Sequence, residues 1–251
     1  TREDIYSFSK LAILEYLSSG ITASFDMYFH PEEMAKLAVD TGFRVVLLSG
    51  LSNFNSSLQE LEECYRKYNH FHPLVSYQLG FHAEYTTSKP LLEGIAKLAR
   101  EFQAPVFTHN SETKGEVEGC LSRYGMTPTA LMDSLGMLQY GGGGYHCVEM
   151  TDGDLDIFQK RGMTVITNPA SNMKLASGVP RTADILARGI PMAIGTDGPA
   201  SNNCLDMFRE MFLVTGLSKL REKDAAAVPA EEVLRMACVN GARCMGLSNC
   251  D

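Results

Sequence analysis

Short apolar runs alternate with amphipathic helical patterns along almost the whole chain of 251 residues, and this alternation constrains the fold more than any other feature. The apolar runs lie at residues 21–26, 43–49, 74–80, 105–108, 144–148, 163–167 and 190–195. The helical patterns lie at residues 4–19, 31–41, 57–68, 88–102, 127–137, 152–161, 181–188, 203–219 and 229–245. An order of this kind is typical of βα units arranged around a parallel sheet.

The order starts with a helix and contains seven strands, and no strand follows the last helix. It therefore predicts an α/β fold, a TIM-like (β/α)8 barrel that lacks its first strand. We expect residues 1–251 to form a single domain. The alternative is an open doubly wound sheet, but such a sheet usually carries a G-x-G-x-x-G turn after its first strand, and the sequence contains no such turn.

The chain carries a formal net charge of −8, and its 22 Lys and Arg residues are scattered along the sequence. This pattern argues against nucleic-acid binding and favours a small-molecule substrate. No apolar run approaches the roughly 20 residues that a membrane span needs, and residues 1–4 do not resemble the start of a signal peptide. We therefore expect a cytoplasmic protein that binds neither nucleic acid nor membranes.

The seven cysteines contain no C-x-x-C pair, so the sequence predicts neither a disulfide framework nor a thiolate zinc site. They are Cys64, Cys120, Cys147, Cys204, Cys238, Cys244 and Cys250. Cys147 adjoins His146, but neighbouring strand residues point to opposite faces, which argues against a Cys-His catalytic dyad.

Polar residues follow the predicted strands at the positions where a barrel of this kind carries its chemistry. Four of the six histidines, His30, His82, His109 and His146, lie at such strand exits, which indicates that they converge on one pocket. The other polar residues at strand exits are Asp26, Ser49, Glu84, Glu112, residues 168–172 and Asp197.

His109 ends an apolar strand, and Glu112 follows it three residues later. Neutral imidazole is a common ligand of zinc and related metals, and a nearby carboxylate can move protons for a water that a metal activates. A histidine beside a helix-capping glutamate is the competing interpretation. His82 and His146 are suited to hydrogen bonding with a substrate or to stabilising charge on an attacking water.

Asp197 lies at the exit of the last predicted strand, between two glycines. A carboxylate there is costly to bury unless it is paired or coordinates a metal. A helix cap is the alternative role, but we expect Asn202 or Asn203 to cap the helix predicted to begin near residue 203.

Two other features resemble functional motifs, but their positions along the chain argue against a function. His70 and His72 have the spacing of a metal-ligand pair, but they precede their strand and so belong to the opposite end of the barrel. The run Gly141 to Gly144 enters a strand rather than a helix, so we expect a flexible connection and no phosphate site.

The segments 109–112, 146–148, 168–178 and 195–203 resemble the amidohydrolase superfamily. They are most similar to its chlorohydrolase and aminohydrolase group, which includes methylthioadenosine/S-adenosylhomocysteine deaminases. The resemblance covers nearly the whole chain, from residues 20–28 to residues 240–243.

This resemblance implies that His109 and Asp197 are ligands of one divalent metal, usually zinc, with iron and other metals in some members. It also implies that Glu112, His146 and Asp197 are catalytic, and that His82, Glu112 and His146 contact the substrate. The implied reaction is hydrolytic deamination of a small aromatic heterocyclic amine by a metal-bound hydroxide. An adenosine derivative or another purine-, pterin- or triazine-like amine fits this reaction.

Two parts of the family pattern are not in this sequence, namely a His-x-His pair at the end of the first strand and a flanking β-sandwich domain. We therefore expect the chain to be the barrel portion of a longer protein. Two alternatives remain open, hydrolytic dechlorination of a halogenated heterocycle and a barrel that binds a ligand without catalysis because the His-x-His pair is absent. A homo-oligomer is compatible with the family.

Overall fold

A computed structural model describes residues 1–247, so Cys250 lies outside the described residues. Its centre is a parallel sheet in which each strand pairs with the next strand along the chain. The strands are Ala23–Met27 (β1), Arg44–Leu48 (β2), Val75–Ala83 (β3), Val106–Asn110 (β4), Gly142–His146 (β5), Met163–Thr167 (β6) and Met192–Ile194 (β7).

Helices alternate with these strands. They are Arg2–Ser18 (α1), Pro31–Thr41 (α2), Leu58–Tyr68 (α3), Lys89–Phe102 (α4), Lys114–Tyr124 (α5), Pro128–Ser134 (α6), Asp152–Arg161 (α7), Pro169–Lys174 (α8), Thr182–Ala187 (α9), Pro199–Asn202 (α10), Met207–Glu222 (α11), Ala230–Arg235 (α12) and Gly241–Cys244 (α13). A 3₁₀ turn, Glu84–Thr86, follows β3, and a π-helical segment, Met236–Asn240, joins α12 to α13. Within residues 1–247, no helix is both long enough and apolar enough to cross a membrane.

The sheet is curled, because aromatic rings from distant strands meet on its inner face. Phe25 of β1 lies edge-on to Tyr145 of β5, with the ring centroids 6.1 Å apart. In a flat sheet these strands would be separated by about 19 Å, four times the usual spacing between neighbouring strands. The curvature and the strand order confirm the predicted α/β, TIM-like barrel architecture, with seven strands among the described residues.

The main hydrophobic core lies between the outer face of the sheet and the helices. Leu79 of β3, Ile95 of α4 and Phe158 of α7 have no exposed surface there. Local caps fix where these helices begin and end. For example, Thr151 and Asp154 form a reciprocal capping box at the start of α7, and Gly162 takes a left-handed conformation just after its end.

The expectation that Gly141 to Gly144 form a flexible connection is wrong, because Gly142, Gly143 and Gly144 are the first three residues of β5. A Cβ atom at Gly142 would lie 1.9 Å from the carbonyl oxygen of Val106 on β4. At Gly143 it would lie 2.8 Å from Ile166, and at Gly144 2.6 Å from the sulfur of Cys147. These glycines therefore allow close packing inside the curled sheet.

Other boundaries also differ from the prediction. β5 ends at His146 and not at residue 148, because His146 and Cys147 both take left-handed backbone conformations. Asp206, and neither Asn202 nor Asn203, caps the helix that was expected to begin near residue 203. Asn203 instead ends the short helix α10, in a left-handed conformation.

The sequence pattern does not predict helix α5. Its sequence contains Gly115 and Gly119, which weaken the local helical preference. Only Glu116 and Cys120 are buried along its length, so the apolar periodicity that identifies a helix is weak. Thr113 starts the helix by accepting a hydrogen bond from the backbone nitrogen of Glu116.

The glycines of β5 yield a stability prediction. Gly142→Ala should lower the free energy of unfolding by about 3 kcal/mol or more, because the backbone of Val106 leaves no room for a methyl group. The control is Gly216→Ala in α11, where nothing lies within 4 Å of the added Cβ. Gly216→Ala should raise the free energy of unfolding by about 0.5–1 kcal/mol. Urea denaturation measures both, and equal effects of the two substitutions would contradict the packing argument.

Candidate active site at the carboxyl ends of the strands

Three of the histidines predicted at strand exits come together. His82 lies on β3, His109 on β4 and His146 ends β5. The ring centroids of His82 and His109 are 4.9 Å apart, and those of His109 and His146 are 5.4 Å apart. Three adjacent parallel strands therefore place one imidazole each on the same side of the sheet, as expected for the carboxyl-terminal end of a barrel.

Hydrogen bonds fix the orientation of the first two rings. Nδ1 of His109 lies 2.7 Å from the backbone oxygen of His82, so Nδ1 carries the proton and donates it. Nδ1 of His82 lies 2.9 Å from the hydroxyl of Thr86, which itself donates to the backbone oxygen of Ala83. In the neutral form of both rings, Nε2 is therefore left with a lone pair for an external partner.

His146 is held in the same manner by a side chain from α8. Its Nδ1 donates to the amide oxygen of Asn172 over 2.7 Å. Its Nε2 lies 3.8 Å from Oε2 of Glu112, beyond normal hydrogen-bond distance. The ring and the carboxylate therefore face each other across a gap in a buried part of the site.

Glu112 is positioned by two neighbours that the sequence analysis did not identify. The hydroxyl of Ser177 donates to its Oε1 over 2.9 Å. The buried carboxylate of Glu116 accepts the backbone N–H groups of Ser111 at 3.0 Å and of Glu112 at 2.8 Å. Burial raises the pKa of Glu116 to about 7, against the opposing effect of these N–H donors. Glu116 thus holds the turn that carries Glu112.

Asp197 follows β7 and takes a left-handed backbone conformation with φ of 58°. The hydroxyl of Ser171 on α8 donates to its Oδ2 over 2.6 Å, and the backbone nitrogen of Gly198 donates to its Oδ1 over 2.7 Å. Burial opposes ionisation of this carboxyl group, but these donors, with Ser201 and His146, lower its pKa. Asp197 is therefore held as a carboxylate.

A fully buried glutamate connects the two segments that hold Asp197. Glu210 of α11 accepts the backbone N–H of Ala170 at 3.0 Å and the side-chain amide of Asn202 at 2.9 Å. The same amide of Asn202 donates to the backbone oxygen of Thr196 over 2.6 Å. Glu210 thus fixes the start of α8 relative to the turn that carries Asp197.

Three of these strand exits share a strained backbone. Ser111, His146 and Asp197 have φ values of 50°, 67° and 58°, in the left-handed region that glycine adopts most easily. Conformations of this kind in residues other than glycine cluster at functional sites, where the surrounding contacts enforce them.

Some predicted site residues lie elsewhere. His30 is exposed at the start of α2, so the expectation that four histidines converge is wrong for this one. Glu84 turns away to form a 2.5 Å ion pair with Arg123 of α5. The hydroxyl of Ser49 accepts the backbone N–H of Leu51, which gives it a structural role. Asp26 lies on β1, where burial raises its pKa to about 6.

The structure agrees with the interpretations of His70, His72 and Cys147 given above. His70 and His72 precede β3, at the end of the sheet opposite the three clustered histidines. Nδ1 of His72 accepts the backbone N–H of Leu74, so this ring has a local structural role. The Cys147 thiol donates to the backbone oxygen of Gly144 and packs in the outer core, away from the ring of His146.

His109 and Asp197 carry the kinds of donor atom that a metal ion binds. His109 presents Nε2, and Asp197 is close enough for its charge to act on the pKa of His109. Imidazole nitrogen and carboxylate oxygen are both common ligands of zinc. Residues 1–247 contain no group of three or more His, Cys, Asp or Glu side chains arranged around one ion. A catalytic zinc ordinarily has three protein ligands, so these two side chains alone do not complete such a site.

His109 yields a prediction for the stability of the metal-free protein. Burial and the neighbouring His146 and His82 lower the pKa of His109 to about 4, from an ordinary value of 6.5. Between these values the unfolded chain binds the proton and the folded chain does not, so acid favours unfolding. Protonation of His109 should lower the free energy of unfolding by about 2 kcal/mol between pH 6.5 and pH 5.

Urea denaturation in the presence of a chelator, at several pH values, measures this contribution. The variant His109→Gln, which does not titrate at this position, should lose stability less steeply over the same range. An unchanged slope in the variant would assign the acid sensitivity to other groups.

Comparison with known proteins gives a consistent picture. The family model described as the amidohydrolase family matches residues 1–250. A 5-methylthioadenosine/S-adenosylhomocysteine deaminase from Pyrococcus furiosus is 41% identical over 255 residues, covering 99% of this chain and 61% of the relative. A 5′-deoxyadenosine deaminase from Methanothermobacter thermautotrophicus is 38% identical over 249 residues, covering 96% of this chain and 58% of the relative.

The solved structures include an adenosine deaminase from Xanthomonas campestris with bound zinc, which superposes with a TM-score of 0.90. Its sequence is 32% identical, and the match covers 99% of this chain and 58% of that chain. The chain thus spans about three fifths of the length of the curated relatives it matches. Since the family model matches nearly every residue, this chain belongs to the amidohydrolase family.

Proposed function

We propose that this chain is the barrel portion of a metal-dependent aminohydrolase that hydrolytically deaminates an adenosine derivative. The observation that carries the proposal is the convergence of His109, Glu112, His146 and Asp197, each oriented by its own hydrogen bond. The curated relatives described above are named as deaminases, which supports deamination over dechlorination.

His109, through Nε2, and Asp197 are the side chains of this chain that hold the metal. A divalent ion such as zinc supplies Lewis acidity and lowers the pKa of water toward neutrality. The zinc in the Xanthomonas campestris structure supports this choice of metal. The hydrogen bond from His109 to the backbone oxygen of His82 orients its ring for this role.

Proton transfer is assigned to the carboxylates. Water adds to the amine-bearing carbon of the aromatic ring, and Asp197 accepts a proton from this water. Glu112 takes the other proton of this water and delivers it to a ring nitrogen, and it then relays the proton held by Asp197 to the departing amine, so the amine and water become a carbonyl compound and ammonia. The hydroxyl of Ser177 and the backbone contacts of Glu116 keep Glu112 in place.

The histidines bind and orient the substrate. His146, fixed by Asn172, presents Nε2 toward the carboxylate of Glu112 and stabilises charge during the attack of water. His82, fixed by Thr86, presents Nε2 on the other side of His109 and hydrogen-bonds the substrate.

Glu112→Gln in the full-length protein tests the proton-transfer role. This change keeps the size of the side chain but removes its basicity, so kcat for ammonia release from 5′-deoxyadenosine should fall at least about 100-fold. The matched control is Glu118→Gln on α5, an exposed glutamate that pairs with Lys114 and should leave kcat unchanged. Activity of Glu112→Gln equal to that of the control would contradict the assignment.

Zinc affinity tests the metal-binding role without relying on turnover. His109→Ala and Asp197→Asn should each weaken zinc binding by the full-length protein at least about tenfold, as measured by equilibrium dialysis. His70→Ala removes an exposed histidine at the other end of the barrel and should bind zinc as the wild type does. Wild-type affinity in both site variants would show that these residues are not ligands.

A further inference from the structure

One short segment after β6 contacts three of the four candidate functional side chains. Residues 171–177, which cover the end of α8 and the turn that follows it, supply these contacts. Side-chain hydrogen bonds of 2.6–2.9 Å join Ser171 to Asp197, Asn172 to His146, and Ser177 to Glu112. The three functional side chains belong to the ends of β7, β5 and β4, so the position of this segment sets how they lie relative to one another.

The segment is a compact unit. The backbone N–H of Ser177 donates to the carbonyl oxygen of Asn172 over 2.9 Å. The backbone N–H of Leu175 donates to the carbonyl oxygen of Ser171 over the same distance. Ser171 and Asn172 are both buried. A displacement of the start of α8 is therefore carried to all three contacts together.

The start of α8 has no local side-chain cap. Asn168 precedes the helix, but its side chain accepts no N–H group of the first turn. The first N–H groups of a helix have no partner within it, and a helix of six residues is too short to be stable by itself. Glu210 of α11 supplies the missing acceptor, since its Oε2 lies 3.0 Å from the backbone nitrogen of Ala170. A carboxylate 40 residues further along the chain thus caps α8.

The other oxygen of Glu210 is tied to the turn that carries Asp197. Its Oε1 accepts the side-chain amide of Asn202 over 2.9 Å, and the same amide donates to the carbonyl oxygen of Thr196 over 2.6 Å. Arg209 donates to the amide oxygen of Asn202 over 2.5 Å, which fixes the direction in which the amide faces. Thr196 directly precedes Asp197, so one buried carboxylate holds both this turn and the segment that orients the Asp197 side chain.

We propose that Glu210 is a positioning residue of the proposed reaction, which acts through residues 171–177 on Asp197, His146 and Glu112. This inference rests on the function proposed above and adds a residue that lies outside the reacting groups. Glu210 has no exposed surface, and both of its oxygens are used by the donors described above. Its effect therefore reaches the reacting groups through other residues.

Glu210→Gln isolates this role. A carboxylate accepts hydrogen bonds at both oxygens, whereas a glutamine of nearly the same size offers one acceptor and one NH2 group. In the variant, that NH2 group faces the N–H of Ala170 or the amide of Asn202, so one of the two ties is lost. The loss of a contact that orients a metal ligand ordinarily costs about 10- to 100-fold in metal affinity or activity.

Zinc affinity and turnover of the full-length protein test the proposal. Glu210→Gln should weaken zinc binding about tenfold by equilibrium dialysis, and kcat for ammonia release from 5′-deoxyadenosine should fall about tenfold with a smaller change in KM. The visible absorption bands of Co²⁺ bound in place of zinc depend on the geometry of its ligands, so they should shift in this variant. The matched control is Glu222→Gln on the same helix, an exposed glutamate beside Arg221 that should leave all these values unchanged.

Two further variants separate the routes by which Glu210 acts. Ser177→Ala should lower kcat and leave zinc affinity unchanged, because its hydroxyl contacts Glu112. Ser171→Ala should weaken zinc binding about tenfold, because its hydroxyl holds Asp197. In the Ser171→Ala background, Glu210→Gln should weaken zinc binding by only about threefold or less, since both changes act on Asp197 along one route. Two independent structural losses would instead multiply.

Wild-type zinc affinity, Co²⁺ spectrum and kcat in folded Glu210→Gln would overturn the positioning role. Losses that multiply in the double variant would overturn it as well. If Glu210→Gln does not fold, Asn202→Ala replaces it, because this change breaks the tie to Thr196 and leaves the cap of α8 in place. Asn202→Ala should also weaken zinc binding and shift the Co²⁺ bands, and wild-type values for both would overturn the proposal.

The same measurements distinguish this inference from the proposed function. Ammonia release by the wild type, with no effect of Glu210→Gln, would leave the proposed deamination intact and remove only the role of Glu210. Absence of ammonia release by the zinc-loaded wild type would overturn the proposed function. In that case the zinc affinities of the variants would still decide whether Glu210 positions Asp197.

Discussion

The close approach of β4, β5 and β6 is the constraint on which the rest of the structure depends. Gly142, Gly143 and Gly144 have no room for a side-chain carbon, so three successive glycines allow the sheet to curl at its centre. The curl brings the carboxyl ends of distant strands toward one point. Without it, side chains from β3 and from β7 could not act on the same small molecule.

Short-range polar contacts then convert this approximate convergence into fixed geometry. Each candidate functional side chain has a partner from another element, such as Asn172 for His146 and Ser171 for Asp197. Two buried carboxylates, Glu116 and Glu210, hold backbone N–H groups rather than other charges. They therefore stabilise the turns that carry functional groups. Donors and acceptors that are already fixed need little reorganisation when charge develops during a reaction.

The architecture could be predicted from the sequence because strand and helix periodicities are properties of local sequence. The clustering of His82, His109 and His146 could also be predicted, since parallel strands place their ends at one edge of the sheet. Glu116 and Glu210, which hold the turns of the site, could not be predicted from the sequence. Glu116 lies on a helix with weak periodicity, and Glu210 is separated by 40 residues from the backbone group at Ala170 that it binds. His30 was misassigned because following a strand does not determine whether a side chain turns inward.

The left-handed backbone at Ser111, His146 and Asp197 has a consequence for how sequences of this kind can vary. Glycine at any of these positions would relieve local strain, yet it would remove the hydroxyl, imidazole or carboxyl group that the position carries. Selection for stability and selection for chemistry therefore act in opposite directions at the same residue. At these three positions the side chain is therefore held against the local preference of the backbone.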